Sequence, residues 1–209
     1  MFADRKNQGE NKMGANIFGV NYEPHADAVR VPFVTGMIIF TVCWVTARAL
    51  ICFFRKKFDL KHEAKLLLMY VNHAVLLRIT FFPMHHDANG SIQPMIFDPK
   101  DIFPLNINLV PLQNLFDFST TKDMLINIIG NITMFIPTGI ILPVIYKKLR
   151  SFPRTVLAGG LISLCIEILQ LPLCDRTSDI NDLILNTSGV VIGYGIYTMV
   201  RKIRRKAKT

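Results

Sequence analysis

The sequence is short of charge. Only 19% of its 209 residues are Asp, Glu, Lys or Arg, whereas a soluble domain usually carries about 25%. Apolar residues make up 51% of the chain, and they lie in long runs rather than in the alternating or helical periodicity of soluble elements. Low charge and long apolar runs exclude an ordinary soluble domain and indicate a chain whose solvent is lipid.

Catalytic and metal-binding motifs are also missing. The sequence has no Walker loop, G-x-S-x-G, H-E-x-x-H or G-x-G-x-x-G, so no standard nucleophile–base set or phosphate cradle is visible. Its four cysteines form no C-x-x-C and lie in or beside apolar runs. This favours apolar packing over a disulfide framework or a zinc site. Whether the chain is an enzyme stays open.

Acidic residues are outnumbered by basic ones, 15 to 24, which gives a net charge of +9. A basic chain can bind nucleic acid, but here the basic residues flank apolar runs instead of covering a soluble face. Anionic lipid and membrane topology explain that distribution better, so we expect no nucleic-acid partner.

Five apolar stretches approach the roughly 20 residues that a helix needs to cross a bilayer. They cover residues 31–54, 66–83, 124–146, 153–172 and 180–200. A helix satisfies its own backbone hydrogen bonds in hydrocarbon. We therefore predict an all-α integral membrane protein with a bundle of about five transmembrane helices.

Lysine and arginine are concentrated in three segments, and this predicts the orientation of the bundle. Residues 55–65 carry five of them, 147–154 carry four and 201–209 carry six. The 84–123 connection has two against five aspartates, and the connection before the fifth span has only Arg176. The three basic segments are therefore expected in the cytoplasm, with the N-terminus and both acidic connections outside.

These features divide the chain into three parts. Residues 1–30 have no apolar stretch with a cleavage site and are expected to form a polar, flexible N-terminal tail. Residues 31–200 form the transmembrane helical domain, and 201–209 form a basic cytoplasmic tail. The 84–123 connection mixes apolar residues with prolines, so we expect it to rest on the membrane interface or to fold over the bundle.

Polar side chains recur on one face of each of the last three helices, always near the outer end. They are Asn127 and Asn131 on the third helix, Ser163, Glu167 and Gln170 on the fourth, and Asp179, Asp182 and Asn186 on the fifth. Spacings of three, four and seven residues keep each set on one helix face. Independent helices have no reason to agree in depth, so we predict one site there, with Arg176 as its internal cation.

The residue types suggest roles within this site. Glu167 is the candidate central acid or base, because a carboxylate at that depth must be protonated, paired or solvated. Asp179 and Asp182 are further candidate catalytic carboxylates, and Arg176 is placed to orient Glu167 or a ligand phosphate. The candidate substrate-binding residues are Asn127, Asn131, Gln170, Arg176 and Asn186.

Structural roles compete with these assignments. Asp179 could cap the fifth helix, and Asp182 could be a first-turn acid favoured by the helix dipole. The asparagines could serve only as hydrogen-bond partners between helices, and Glu167 could form a structural ion pair with Arg176. Arg48, near the cytoplasmic end of the first span, is expected to extend its side chain toward the interface.

The fifth helix also contains a G-x-x-x-G pattern, formed by Gly189 and Gly193. Glycines allow helix backbones to approach each other closely in lipid. We therefore expect a neighbouring helix to pack closely against this one, below the polar face.

At these residues the chain resembles the VanZ-like family of bacterial membrane proteins. The resembling stretches are N-I-I-G-N at 127–131, F-I-P-T-G at 135–139, C-I-E-I-L-Q at 165–170, and R-T-S-D-I-N-D at 176–182 followed by Asn186 and Gly189. Upstream, N-L-V-P at 108–111 is similar to the family's N-L-x-P-F element, with Leu112 where the family usually has Phe.

The resemblance implies a multi-pass protein of the bacterial cytoplasmic membrane with a role in the cell envelope, of the kind associated with teicoplanin resistance. The expected partner is a membrane lipid, a lipid-linked cell-wall precursor or a lipid-tailed glycopeptide, bound or modified at an outer-leaflet site. We expect no cofactor, with a divalent cation held by the carboxylates as the alternative. A proton-coupled channel or small transporter and a non-catalytic membrane scaffold are the other functions left open.

Overall fold

Five long helices account for most of the structure. The computed structural model describes residues 15–17, 20–22, 28–56, 58–82, 94–97, 107–112, 121–173 and 178–207. The long helices in these ranges are α1 (Phe33–Arg55), α2 (Leu60–Phe81), α3 (Thr121–Ile145), α4 (Phe152–Gln170) and α5 (Ile180–Lys206). Each of the five is long and apolar enough to cross a membrane. The prediction of a helical, multi-pass membrane protein with about five spans is confirmed.

Two helices extend six residues beyond the predicted spans, α2 at its start and α5 at its end. α2 begins at Leu60 rather than at residue 66, because the Asp59 side chain caps it by accepting from the backbone N–H groups of Lys61 and His62. α5 continues past residue 200 to Lys206. Hydropathy marks only the apolar part of a helix, whereas backbone hydrogen bonding continues into the polar turns that lie outside the hydrocarbon.

Short strands precede α1 and lie in the connections on one side of the bundle, which an all-α reading did not predict. They are β1 (Ala15–Ile17), β2 (Val20–Tyr22), β3 (Val29–Val31), β4 (Met95–Phe97), β5 (Ile107–Asn108) and β6 (Ser178–Asp179). β1 pairs with β2 and β3 with β4, both antiparallel, while β5 pairs with β6 in parallel. We call the end that holds β3 to β6 the acidic side, and the end that holds the connections from α1 to α2 and from α3 to α4 the basic side.

α3 and α5 form the most extensive contact between any two helices in the described residues. Glycines lie where the two backbones meet. A Cβ atom on Gly189 would lie 2.1 Å from the carbonyl oxygen of Ile132, and one on Gly193 would lie 2.1 Å from that of Ile136. The expected close packing at the G-x-x-x-G pattern is confirmed, and its partner is α3.

Two small apolar clusters join the other helices to this pair. Near the basic side Leu66 and Met69 of α2 pack with Leu142 and Ile145 of α3. Nearer the acidic side a second cluster joins Leu76 of α2, Phe135 of α3 and Val190 of α5. Between the clusters, Asn72 Nδ2 donates to Thr138 Oγ1 over 2.8 Å, so a buried polar pair also connects α2 and α3.

α1 is peripheral, because none of its residues is fully buried. Thr41 Oγ1 and Tyr70 Oη lie 2.8 Å apart and share a hydrogen bond, which fixes one point of contact with α2. An ion pair joins Arg48 Nη2 to Glu63 Oε1 at 2.5 Å, and the rings of Phe40 and Trp44 contact that of Tyr70. Glu63 lies in the first turn of α2 on the basic side, so a carboxylate on the facing helix neutralises Arg48, and its extension toward the interface stays a prediction.

We expect the contact between α3 and α5 to tolerate no added side chain. Gly189→Ala and Gly193→Ala each place a methyl group against a backbone carbonyl, which should lower the free energy of unfolding by about 1–3 kcal/mol. Gly195→Ala is the matched control, because nothing lies within 4 Å of its Cβ position. Thermal unfolding of the purified variants in one detergent measures all three, and equal midpoints would contradict the close approach.

Candidate functional site

The predicted polar site lies where the end of α4, the start of α5 and the first turns of α3 come together on the acidic side. The chain turns sharply after α4, and Leu173, 3% exposed, is buried at this turn. Residues 178 and 179 then return along the end of α4 as β6 before α5 begins. This return brings the start of α5 against the last turns of α4.

Glu167 is the most enclosed carboxylate of the predicted set, with only 7% of its surface exposed. Its Oε2 accepts a hydrogen bond from the backbone N–H of Asp179 over 3.1 Å. The backbone carbonyl oxygen of Glu167 accepts from Ser178 Oγ at 2.5 Å. Both contacts go to β6, so Glu167 holds the returning chain against α4.

Asp179 uses its two carboxylate oxygens in different directions. Oδ1 accepts from the backbone N–H of Asn181 at 2.8 Å, which makes Asp179 the N-cap of α5. Oδ2 accepts from Asn108 Nδ2 over 3.2 Å. Capping is therefore one of its roles but not its sole role, because the same carboxylate also holds β5.

Asp182 and Asn186 point from α5 toward two different helices. Asp182 Oδ1 accepts from Asn131 Nδ2 over 2.8 Å, which connects α5 to α3. Asn186 Nδ2 donates to Ser163 Oγ over 2.9 Å, which connects α5 to α4. Asn186 is 1% exposed, and no hydrogen-bond donor among the described residues reaches its Oδ1.

Gln170 contacts α2 rather than the carboxylates. Its Nε2 donates to the backbone carbonyl oxygen of Thr80 over 2.7 Å. Thr80 lies in the last turn of α2, where backbone carbonyls have no partner within their own helix. Gln170 satisfies one of these carbonyls, and this explains a buried amide, 8% exposed, at the end of α4.

Two predicted residues remain, of which only Asn127 is among the described residues. Asn127 is half-buried one turn outward from Asn131, and its side chain makes no hydrogen bond with the described residues. Arg176 lies outside the described residues, so its predicted pairing with Glu167 stays a prediction. Within the described residues, no three His, Cys, Asp or Glu side chains are grouped so that they could hold a metal ion.

Residues 107–112, which we call the docked loop, also belong to the site. β5 runs parallel to β6, with Ile107 opposite Ser178 and Asn108 opposite Asp179. Asn108 Oδ1 accepts from the backbone N–H of Val110 over 3.2 Å, which bends the chain back on itself. The part of the 84–123 connection described here thus folds over the end of the bundle, one of the two expected arrangements.

Asn181 fixes the other end of the docked loop. Its Oδ1 accepts from the backbone N–H of Leu112 over 2.6 Å, and its side chain is 3% exposed. Leu112 has a φ of 64°, a left-handed conformation that is strained for leucine. Sequence reasoning did not select Asn108 or Asn181 for the site. The available signal was the N-L-V-P segment, read as a family resemblance without a contact partner.

A small cleft of about 130 Å³ lies between the docked loop, the end of α4 and the start of α5. Its walls are mostly apolar, and the polar groups on them are Glu167, Ser178 and Asp179. The apolar residues lining it are Ile107, Leu109, Leu164, Ile168, Leu171, Ile180 and Leu183. Carboxylates beside an apolar slot suit a ligand that is polar at one end and apolar at the other.

Comparison with known proteins gave one family and one curated relative. The family profile described as VanZ/LLP1 matches residues 67–201, which include every candidate site residue from Asn127 to Asn186. The relative, "Protein VanZ" of Enterococcus faecium, is 32% identical over 95 residues. That match covers 46% of this chain and 58% of the relative, less than two thirds of its length. No solved structure matches the chain.

Removing the side-chain acceptor of Asn181 should release the docked loop. Asn181→Ala leaves the N–H of the strained Leu112 without its partner, a loss of about 1–3 kcal/mol. In a chain whose four native cysteines are replaced, Ile107→Cys places a single thiol at a half-buried position of the docked loop. We expect this thiol to react with a soluble maleimide about fivefold or more faster when the chain also carries Asn181→Ala. Asn127→Ala is the control for an amide lost nearby, and an equal rate in both variants would contradict the assigned role.

Proposed function

Because the chain belongs to the VanZ/LLP1 family, we propose that it acts in the bacterial cell envelope by binding a membrane amphiphile at the site around Glu167. The ligand class is a lipid-linked cell-wall precursor or a lipid-tailed glycopeptide of the teicoplanin type. Binding there would contribute to resistance of that type. The chain is a multi-pass membrane protein, and the membrane we assign is the bacterial cytoplasmic membrane.

The proposed orientation follows from charge. The basic side carries the residues of the 55–65 and 147–154 segments, and α5 ends there with Arg204, Arg205 and Lys206. Lysine and arginine are retained in the cytoplasm during insertion. The acidic side, with Glu167 and the docked loop, then faces outward, where cell-wall precursors and glycopeptides are found.

The observation that carries the proposal is the position of Glu167 in the wall of an apolar cleft at the end of α4. A buried carboxylate is retained at such a place only with partners, and Oε2 has one in the Asp179 N–H. The same side chain faces the cleft between α4, α5 and the docked loop. An amine or hydroxyl group of the ligand would hydrogen-bond to this carboxylate while an apolar group occupies the slot.

The other polar residues support the proposal as positioning groups. Asp179 holds both the start of α5 and the docked loop, and Asn181 holds the far end of that loop. Asp182 and Asn131 fix α5 against α3 just beside the site. We assign these residues to the shape of the cleft and Glu167 to direct contact with the ligand, and we leave open whether the ligand is also chemically modified.

Antibiotic susceptibility tests the proposal directly. A Gram-positive host expressing the wild-type chain should show lowered sensitivity to teicoplanin but not to vancomycin, which lacks the lipid tail. Glu167→Gln, at the same level in the membrane, should remove that shift. Ser188→Ala is the control on α5, because within the described residues its hydroxyl group donates to the Ile184 carbonyl of its own helix turn.

Two results would argue against this function. If Glu167→Gln and the wild-type chain shift susceptibility equally, the carboxylate is structural and the ligand binds elsewhere. If neither chain shifts susceptibility, this protein does not act on teicoplanin. Binding of a purified lipid-linked cell-wall precursor to the wild-type and Glu167→Gln chains would then test the other proposed ligand class.

Stability separates a binding site from a scaffold. Glu167→Gln keeps an oxygen that can accept from the Asp179 N–H, so we expect the thermal midpoint in detergent to stay equal or to rise as a buried charge is removed. Asp179→Ala removes the N-cap and the bond to Asn108, and should cost about 0.5–2 kcal/mol. A clear loss of stability in Glu167→Gln would favour the scaffold instead.

A further inference from the structure

A second and larger cleft lies at the opposite end of the protein, between α1 and α2. Its volume is about 640 Å³, and its walls run from Thr41 to Cys52 on α1 and from Glu63 to Tyr70 on α2, with Phe58 at one end. We call it the α1–α2 groove. None of the residues assigned to the site around Glu167 lines it, so the proposed function does not account for it.

The α1–α2 groove opens toward lipid. Val45 on one wall and Leu67 on the other are each more than half exposed, although both lie within helices that cross the membrane. In a bilayer such surface contacts acyl chains, and a recess of this size would lose those contacts if it stayed empty. Because apolar, lipid-exposed side chains such as Val45 and Leu67 line the groove, the occupant that fits is a lipid chain.

The length of the groove matches one leaflet. Thr41 and Cys52 are separated by 11 residues of helix, which is about 16 Å at 1.5 Å per residue. Half of the hydrocarbon core is about 15 Å. The groove begins near the middle of α1 and ends close to the basic side, where α1 terminates at Arg55. One acyl chain of that leaflet would occupy it from the membrane centre to the interface.

The mouth of the groove on the basic side is cationic. Arg55 and Lys56 follow Cys52 at the end of α1, and Lys61 and Lys65 lie in the first turns of α2. All four are exposed, and none pairs with a carboxylate among the described residues. The nearby acids have other partners: Asp59 caps α2, and Glu63 pairs with Arg48. Unneutralised lysine and arginine at the membrane surface attract anionic lipid headgroups.

From the length, the exposure to lipid and the charge at one end, we propose that the α1–α2 groove binds an anionic phospholipid of the leaflet on the basic side. One acyl chain lies in the groove, and the phosphate is held by Arg55, Lys56 and Lys61 at its mouth. The bound lipid fills the space that is left open beside the contacts of Thr41, Trp44 and Arg48 with α2.

Retention of lipid by the purified full-length chain tests this proposal. Native mass spectrometry after detergent extraction compares phosphatidylglycerol with phosphatidylcholine of the same acyl chains. The wild-type protein should bind phosphatidylglycerol about fivefold or more tightly than phosphatidylcholine. Ala49→Phe places a ring in the groove from a position exposed on α1, and should reduce retention of both lipids.

A second variant tests the mouth without changing the groove. Arg55→Gln, Lys56→Gln and Lys61→Gln together should remove the preference for phosphatidylglycerol while leaving phosphatidylcholine retained as in the wild type. Lys147→Gln, Lys148→Gln and Arg154→Gln are the matched control, since they remove the same charges from exposed positions in the other basic connection. That control should keep the wild-type preference.

Four outcomes would overturn the proposal. Retention of phosphatidylglycerol by a folded Ala49→Phe protein as in the wild type would show that the groove is not the lipid site. Equal binding of both lipids to the wild type would exclude selection by the phosphate's negative charge. Equal losses in the mouth variant and its control would assign the preference to general surface charge. Displacement of phosphatidylglycerol by equimolar polyprenyl phosphate would identify the occupant as a lipid carrier instead.

Discussion

The direct approach of the α3 and α5 backbones sets the geometry of the acidic side. Where Gly189 and Gly193 meet the carbonyl groups of Ile132 and Ile136, any larger side chain would push the helices apart. Outward of these contacts, the same pair of helices carries Asn131, next to Ile132, and Asp182, about two turns before Gly189, at hydrogen-bonding distance. The polar residues can therefore converge because the glycines below them hold the helices together.

The shortage of water within a bilayer explains the pairing of the buried polar groups. A polar group in hydrocarbon has to find its partner in the protein, and partners on other helices then fix how the helices sit. Asn72 with Thr138, Gln170 with the Thr80 carbonyl, and Ser163 with Asn186 each join a different pair of helices. The same rule applies to Arg48, whose charge is neutralised by Glu63. Packing and polar bonds thus specify one arrangement of α2 to α5.

Hydropathy was sufficient to predict the five spans, and side-chain periodicity was sufficient to predict the depth at which the polar residues gather. The periodicity could not predict their partners. Asp179, Asp182 and Asn186 share one helix face, yet they bond to three different elements through Asn108, Asn131 and Ser163. Gln170 was assigned to the site from its spacing, whereas the free carbonyl at the end of α2 determines its direction. The docked loop was harder still to predict from the sequence, because β5 is only two residues long and Asn108 pairs with Asp179, 71 positions later.

The peripheral position of α1 has a consequence for how this protein can vary. The family match begins at residue 67, inside α2, and none of the residues of α1 is fully buried. The four helices from α2 to α5 contain the glycine contact, the buried polar pairs and the site around Glu167. Substitutions at the exposed positions of α1, away from Gly36 and Arg48, can therefore accumulate with little effect on that unit. A property that depends on α1, such as affinity for the lipid of one host membrane, can adapt independently of what the acidic side recognises.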